Sequence, residues 1–382
     1  MPTPFKIDIP LATLDAIAAK VRTYEWHEMP RGPGLDGSWA YGANLDYMRA
    51  LCAHWTDGYD WRKWEAALNR FAQFTARVEE IELHFYHEQG SGASPKPLIL
   101  SHGWPGSVFE FLHIIEPLAH PERFGGDAKD AFTVIVPSLP GYGFSGKPSR
   151  PISPRTIARL FDKLMVDELH LPNYIAQGGD WGSAISGWMG YEGKGCRAVH
   201  LNMFGWRSPG VGPETEEEIK AAQAASQIFD AEGAYFREQS TKPQTLSYAM
   251  MDSPVGACAW IVEKFYGWSD IRKGFENVYT KDQLLTNVMI YLVTGTFNTA
   301  TWLYRGLFED LSGAPVPPKA RVEKPVAIAR FPVDLIPFPP RSQVERNVNV
   351  ARWTEFAQGG HFAALERPDD LVGDIRAFAR TL

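Results

Sequence analysis

Cysteine and long apolar runs are scarce in this sequence of 382 residues, and each scarcity excludes a class of protein. The three cysteines, Cys52, Cys196 and Cys258, are far apart and odd in number, which argues against a disulfide framework and favours a reducing compartment. No stretch approaches the roughly 18 consecutive apolar residues of a membrane span, and the N-terminus has neither the basic region nor the apolar run of a signal peptide. We therefore expect a cytoplasmic protein without a membrane anchor.

The sequence also has no excess of basic residues. The net charge is -7, with 45% hydrophobic and 22% charged residues, so the composition indicates neither a disordered chain nor a nucleic-acid-binding surface. His84 and His87 resemble a metal-binding pair only weakly, because side chains three residues apart on a strand point to opposite faces. The 13 tryptophans are compatible with a large apolar pocket, although many aromatic rings must belong to the core.

The spacing of apolar residues predicts how the chain is organised. Residues 1–80 predict helices and loops, with Leu14, Ile17 and Val21 on one helical face and Asn44 as the cap of the next helix. Residues 81–87 alternate like an exposed strand. From residue 91 onwards, strand signals alternate with helical ones, which predicts a mainly parallel sheet. Strands are predicted at 97–101, 132–137, 174–177, 198–203, 325–329 and 348–353.

Consecutive helical signals interrupt this alternation between residues 213 and 305, where Thr280 and Gln283 form a capping box. The order of sheet, helices and sheet predicts an α/β-hydrolase fold, which is a mostly parallel central sheet flanked by helices, with a helical lid insertion. We expect an N-terminal helical meander at 1–90, the first part of the core at 91–212, the lid at 213–305 and the second part of the core at 306–382.

A carboxylate occupies the position at which hydrolases of this design usually carry serine. Residues 174–183 form an apolar strand that enters a turn with Gly178, Asp180 and Gly182, the pattern of a nucleophile elbow. A serine attacking an alkyl carbon would give a stable ether, whereas a carboxylate gives an ester that water can cleave. Asp180 therefore predicts substitution at saturated carbon, although an aspartate between glycines is also a common turn former or helix cap.

Three further sites complete the expected catalytic set. His102-Gly-Trp-Pro follows the first core strand, so the backbone N–H groups of Trp104 and Trp181 are the candidate oxyanion hole; a tight turn without chemistry is the alternative. His361 follows the last strand beside two glycines and is the candidate general base. Asp334 follows the preceding strand and is the candidate acid that orients His361. The chain order of nucleophile, acid and base is that of the hydrolase fold.

Several motifs together resemble the microsomal-type epoxide hydrolases over nearly the whole chain. They are Trp-x-Tyr-Gly at 39–42, the segment 61–74, His-Gly-Trp-Pro at 102–105, Pro-Gly-Tyr-Gly-Phe-Ser at 140–145, Gly-Gly-Asp-Trp-Gly at 178–182, Leu-Leu-Thr-Asn-Val-Met-Ile-Tyr at 284–291 and Gly-Gly-His-Phe-Ala-Ala at 359–364. The resemblance implies hydrolysis of a small apolar epoxide to a diol, without a cofactor or a metal. It also implies two lid tyrosines that donate hydrogen bonds to the epoxide oxygen, at the positions of Tyr235 and Tyr304.

Two departures and several alternatives stay open. The mammalian members of the family differ in having an N-terminal membrane anchor and a glutamate at the position of Asp334, so Glu366 is a second candidate for the orienting acid. A haloalkane dehalogenase would also use an aspartate elbow, and Trp181 could hold its halide. A non-catalytic ligand-binding protein on the same scaffold is a third hypothesis. The sequence does not determine the physiological epoxide, the enantiomer or the oligomeric state. It is compatible with a homodimer.

Overall fold

The computed structural model describes residues 2–34 and 37–382. Within these residues, nine strands form one sheet in the order β1-β2-β3-β5-β4-β6-β7-β8-β9. The strands are β1 (Thr3–Phe5), β2 (Gln73–Val78), β3 (Ile81–Glu88), β4 (Lys96–Ser101), β5 (Phe132–Pro137), β6 (Tyr174–Gly178), β7 (Cys196–Leu201), β8 (Val322–Arg330) and β9 (Val348–Glu355). Six neighbouring strands of this sheet are parallel, namely β5, β4, β6, β7, β8 and β9. Strands β1, β2 and β3 add an antiparallel edge.

The antiparallel edge corrects two expectations from the sequence. The N-terminal region is not purely helical, because β1 and β2 lie within residues that predicted helices and loops. Strand β3 is not exposed, because it lies between β2 and β5 and the four residues from Leu83 to Tyr86 are completely buried. Ser138 and Gln73 each form a hydrogen bond with the His84 ring, which removes the cost of burying this polar side chain.

Sixteen α-helices occupy the described part of the chain. Helices α1 (Leu11–Arg22), α2 (Leu45–Asp57) and α3 (Trp61–Leu68) precede the parallel strands. Helices α4 (Ile115–Ala119), α5 (Pro154–Lys163) and α6 (Asp180–Glu192) connect them. Between β7 and β8 lie α7 (Glu216–Glu232), α8 (Ala234–Thr241), α9 (Pro243–Asp252), α10 (Pro254–Trp268), α11 (Phe275–Val278), α12 (Lys281–Thr294) and α13 (Phe297–Glu309). The last three are α14 (Arg341–Asn347), α15 (Ala363–Glu366) and α16 (Pro368–Ala379).

Short 3-10 segments and one π-helical turn complete the secondary structure. The 3-10 segments are Val108–Phe111, Pro121–Phe124, Ala128–Asp130 and Ile271–Lys273, and the π-helical turn is Leu164–Glu168. Two predicted helix starts are confirmed. The Asn44 side chain accepts hydrogen bonds from the backbone of Asp46 and Tyr47, and Thr280 and Gln283 form the reciprocal capping box.

The strand order places a crevice at the centre of the sheet. The connection from β4 to β5 runs in one direction along the sheet, whereas the connection from β6 to β7 runs in the other. Because such crossovers are right-handed, α4 and α6 lie on opposite faces, and the loops after β4 and β6 diverge from each other. Open α/β sheets bind ligands at this kind of switch point, beyond the carboxyl ends of the strands.

The N-terminal helices contact the helices between β7 and β8. The His54 ring and the Trp64 indole both bond the Asp282 carboxylate at the start of α12, at 2.6 and 3.1 Å. The ammonium group of Lys20 on α1 also lies 2.6 Å from the carboxylate of Asp252 on α9. No helix in the described ranges is long and apolar enough to cross a membrane.

Candidate active site

Asp180 lies at the sharp turn between β6 and α6. Its backbone φ angle is +47°, in the left-handed region that residues other than glycine rarely adopt. This is expected for an elbow that projects one side chain outward. The turn also needs glycine at 182, because a Cβ there would overlap the backbone carbonyl of Ser101 at the end of β4. Close packing of β4, β6 and α6 therefore determines where the Asp180 carboxylate lies.

The loop after β4 contacts this carboxylate directly. The backbone N–H of Trp104 donates a hydrogen bond of 2.8 Å to Oδ1 of Asp180. Trp181 is the second residue of α6, so its N–H belongs to the first turn of a helix, where amides have no partner within the helix. The two candidate oxyanion donors thus come from the loop after β4 and from the first turn of α6, at the switch point of the sheet.

His361 connects Asp180 with Asp334. Its Nε2 lies 3.3 Å from Oδ2 of Asp180, and its Nδ1–H donates a hydrogen bond of 2.6 Å to Oδ1 of Asp334. Burial alone would lower the pKa of His361, but the charges and hydrogen bonds of Asp334 and Asp180 raise it well above its usual value. The two carboxylates therefore favour the imidazolium form of the ring.

Glu366, the second candidate for the orienting acid, has different partners. Its carboxylate accepts hydrogen bonds from the backbone N–H groups of Asp270, at 2.9 Å, and Phe362, at 3.0 Å. Burial raises its pKa to about 7. The structure therefore places Asp334 on the His361 ring and Glu366 on the backbone that supports the His361 loop.

Tyr235 on α8 and Tyr304 on α13 lie close together over Asp180. Both are buried, and their ring centroids are 6.0 Å apart. The Trp104 ring stacks on Tyr235 at 5.3 Å, and the Trp181 ring meets Tyr304 edge-on at 4.8 Å, so these indoles fix both phenols. Burial, with the nearby Asp180 charge, raises the pKa of each phenol well above its usual value, so both remain hydrogen-bond donors.

A cavity of about 380 Å³ brings Asp180, Trp181, Tyr235 and Tyr304 together. The rest of its wall is mostly apolar and is contributed by Pro154, Ala184, Trp188, Met203, Phe204, Gly205, Trp206, Arg207, Phe229, Phe236, Leu307, Leu335 and Ile336. Sequence reasoning missed these wall residues individually. A cavity of similar size, about 390 Å³, lies outside the His361 loop, but its wall is largely polar and includes Arg272, Lys273 and Glu366. The apolar cavity suits a small organic substrate better, and Asp180 faces it.

The arrangement has a defined chemical capacity. The Asp180 carboxylate faces an apolar cavity, and two phenols that can donate protons line the same cavity. The His361 imidazole lies beside the Asp180 carboxylate and is paired with a second carboxylate, that of Asp334. Such a set can attack an electrophilic carbon and protonate the group that leaves it. Among the described residues, no cluster of three or more histidine, cysteine, aspartate or glutamate side chains could hold a metal ion.

Comparison with known proteins shows the family to which the chain belongs. Residues 2–111 match the family described as "Epoxide hydrolase N terminus", and residues 96–251 match the α/β-hydrolase fold. The chain is 36% identical to a provisionally named epoxide hydrolase of Stigmatella aurantiaca, a match that covers 100% of this chain and 85% of the relative. The chain belongs to the epoxide hydrolase family. It is also 33% identical to epoxide hydrolase 1 of Sus scrofa, over 91% of this chain and 82% of the relative.

Solved structures of the epoxide hydrolase family have the same overall architecture. The Aspergillus niger epoxide hydrolase superposes with a TM-score of 0.86 at 32% identity and covers 100% of this chain and 96% of its own. The juvenile hormone epoxide hydrolase of Bombyx mori gives a TM-score of 0.85 at 27% identity, with coverage of 100% and 94%. The expected α/β-hydrolase fold is thereby confirmed.

Proposed function

We propose that this member of the family hydrolyses a small apolar epoxide to a vicinal diol through an ester on Asp180. One observation carries the proposal: the Asp180 carboxylate lies between the His361 ring and a cavity into which Tyr235 and Tyr304 also project. The nucleophile, the proton donors and the base for ester hydrolysis are thus all within one site. The names of the relatives supply the substrate class.

In the first step, a carboxylate oxygen of Asp180 attacks one epoxide carbon. A C–O bond forms, the ring C–O bond breaks, and its electron pair goes to the ring oxygen. That oxygen takes a proton from Tyr235 or Tyr304, which leaves a hydroxyalkyl ester and a phenolate. Because the phenols are buried and keep their protons to high pH, they protonate only a strong base such as the opening alkoxide.

Ester formation then changes the state of His361. It removes the Asp180 charge, which is one of the causes that raise the pKa of His361. The pKa of the ring therefore falls, and the imidazolium proton can return to the phenolate. His361 becomes a neutral imidazole, still oriented by Asp334, only when an ester is present to be hydrolysed.

In the second step, His361 removes a proton from water while the water oxygen attacks Cγ of Asp180. The N–H groups of Trp104 and Trp181 stabilise the tetrahedral oxyanion. Collapse of this intermediate breaks the ester bond and leaves a protonated Asp180 carboxyl group beside the released alkoxide. The alkoxide takes that proton, so that Asp180 is again a carboxylate while His361 has returned to the imidazolium. Proton count and charge are then those of the starting state.

The test uses styrene oxide with detection of phenylethanediol, and 1-bromobutane with detection of bromide. We expect diol from the wild-type protein and none from Asp180→Asn, because the amide has nearly the same shape but is not a competent nucleophile. Bromide release without diol would favour a dehalogenase, which does not need the two phenols because halide leaves without a proton. Ligand binding without either product would indicate a non-catalytic binding protein.

A further inference from the structure

A second, much smaller cavity lies on the other side of Asp180. Its volume is about 10 Å³, which is close to the least space that can hold one water molecule. Its wall includes Ser101, Glu110, Asn202 and His361, and among the described residues Asp180 alone lines both this cavity and the large apolar one. A water here would lie beside Asp180 and His361, away from the epoxide.

Glu110 brings a carboxyl group to this cavity. It belongs to the 3-10 segment after the Trp104 loop and accepts a hydrogen bond from the backbone of Ser107. Residue 106 must be glycine for this placement, because a Cβ there would overlap Oε1 of Glu110. Within the part of the chain that the structure describes, no cationic side chain forms an ion pair with Glu110, so its carboxyl group is held by backbone and cavity contacts.

Ser101 supplies a second, independent sign of a bound water. Its side chain is completely buried at the end of β4, and its Oγ has no hydrogen-bond partner within residues 2–34 and 37–382. Buried hydroxyl groups are rarely left without a partner, and a water molecule is a frequent one. A cavity of this size bounded by a hydroxyl, a carboxyl and an imidazole offers the two to four polar contacts that a buried water needs.

We propose that Glu110, assisted by Ser101, is a positioning residue that holds the water that hydrolyses the Asp180 ester. This inference rests on the proposed two-step reaction. The water donates one O–H to Nε2 of His361 and the other to a carboxyl oxygen of Glu110, so that a lone pair of its oxygen points at Cγ of Asp180. Without Glu110 the second O–H has no fixed partner, and the water oxygen is free to turn away from the ester.

The charge state of Glu110 is compatible with this task. Burial raises its pKa to about 8; the His361 charge lowers it and the Asp180 charge raises it. The carboxyl group is therefore largely neutral at neutral pH, and its carbonyl oxygen still accepts a hydrogen bond. A glutamine at this position would keep that acceptor, whereas a methionine of similar length would not.

The experiment separates the two steps in a single turnover with excess enzyme. Ester formation is followed by tryptophan fluorescence, since Trp104 and Trp181 adjoin Asp180, and ester decay by acid quench and intact-protein mass. We expect Glu110→Met to slow ester decay on the order of 100-fold, the typical cost of misplacing a reacting group, while ester formation changes little. In the steady state kcat and KM should then fall together, because kcat/KM reports ester formation.

Two further variants and a matched control complete the design. Glu110→Gln should restore most of the rate of ester decay, and Ser101→Ala should slow ester decay by a smaller factor than Glu110→Met. Glu122→Met makes the same change at an exposed glutamate and should leave both steps unchanged. If Glu110→Met does not fold, selective slowing of ester decay in Ser101→Ala supports the inference, and an unchanged rate overturns it.

Other outcomes are equally decisive. Normal ester decay in Glu110→Met, or an equal loss in both steps, would show that Glu110 does not position the water. Failure of Glu110→Gln to rescue would contradict the role of the carbonyl oxygen. If no ester forms in either the wild-type protein or His361→Gln, the proposed two-step reaction itself is wrong. If an ester forms and decays at the normal rate in Glu110→Met, only the role of Glu110 is wrong.

Discussion

Nε2 of His361 lies 3.3 Å from Oδ2 of Asp180, so the candidate nucleophile and the candidate base interact before any substrate arrives. While Asp180 is charged, this contact and the contact with Asp334 favour the imidazolium. In the proposed reaction, alkylation of Asp180 cancels one of the two charges, which lowers the pKa of His361 and releases the ring to act as a base. The contact with Asp180 would therefore keep His361 a poor base in the resting enzyme, and the loss of that charge would make it a base in the proposed intermediate.

Replacing His361 by glutamine should block ester hydrolysis much more than ester formation. The variant keeps Asp180 and both tyrosines but has no group that can accept the proton of water. Intact-protein mass spectra taken after mixing with styrene oxide should show an added mass that persists, located on the peptide that contains Asp180. Normal turnover without an adduct would show that another group serves as the base.

Replacing Tyr235 or Tyr304 by phenylalanine should slow ring opening on the order of 100-fold, the usual cost of losing one oriented donor to developing charge. Since either phenol can protonate the alkoxide, the double variant should lose nearly all activity. If the double variant forms the ester at the wild-type rate, these phenols only pack in the site and do not donate protons.

Because the pKa of both phenols is raised, the rate of ester formation in the wild-type enzyme should not decline as pH rises towards about 10, the usual pKa of tyrosine.

Asp334→Asn and Glu366→Gln distinguish the two candidates for the orienting acid. The Asp334 variant should lose activity on the order of 10⁴-fold, as in other triads in which the acid becomes an amide and the ring takes the wrong tautomer. Glu366→Gln should have a much smaller effect, because Glu366 bonds backbone amides and not the ring. The ratio of the two kcat values checks this, with thermal unfolding as the control for stability, and a reversed ratio would assign the role to Glu366.

The sequence predicted the parts of the fold that are set by local signals. Strands β4 to β8 each contain a short buried apolar run, and the Asn44 and Thr280 caps are formed by neighbouring residues. Strand β1 has three residues, one of them Pro4, so it has no periodicity to detect. In β3 the alternation of residues 81–87 predicted an exposed strand, but Ser138 and Gln73 form hydrogen bonds with the His84 ring and make its burial possible.

In the site, too, the features set by local sequence could be predicted, whereas those set by contacts between residues distant in sequence could not. Asp180, Trp104 and His361 stand in short turns whose glycines reveal the backbone geometry, so their approach could be predicted from sequence. The walls of the large cavity could not, because residues such as Trp188 and Leu335 converge only through the packing of helices and loops distant in sequence. Glu110 was also missed, although a charged residue within the apolar run Val108-Phe-Glu-Phe-Leu112 is a signal that could have drawn attention to it.

The proposed covalent intermediate gives the final prediction. In a single turnover with excess enzyme in ¹⁸O-labelled water, the oxygen added to the diol should come from the Asp180 carboxylate and carry no label. The water oxygen should enter Asp180, which a mass shift of about 2 Da in its peptide would show, because hydrolysis places that oxygen on the carboxyl carbon. Direct attack of water on the epoxide would instead label the diol at once and leave the carboxylate unchanged. A labelled diol in the first turnover would therefore remove Asp180 as the nucleophile even if the protein converts epoxides to diols, and the Glu110 inference would be withdrawn with it.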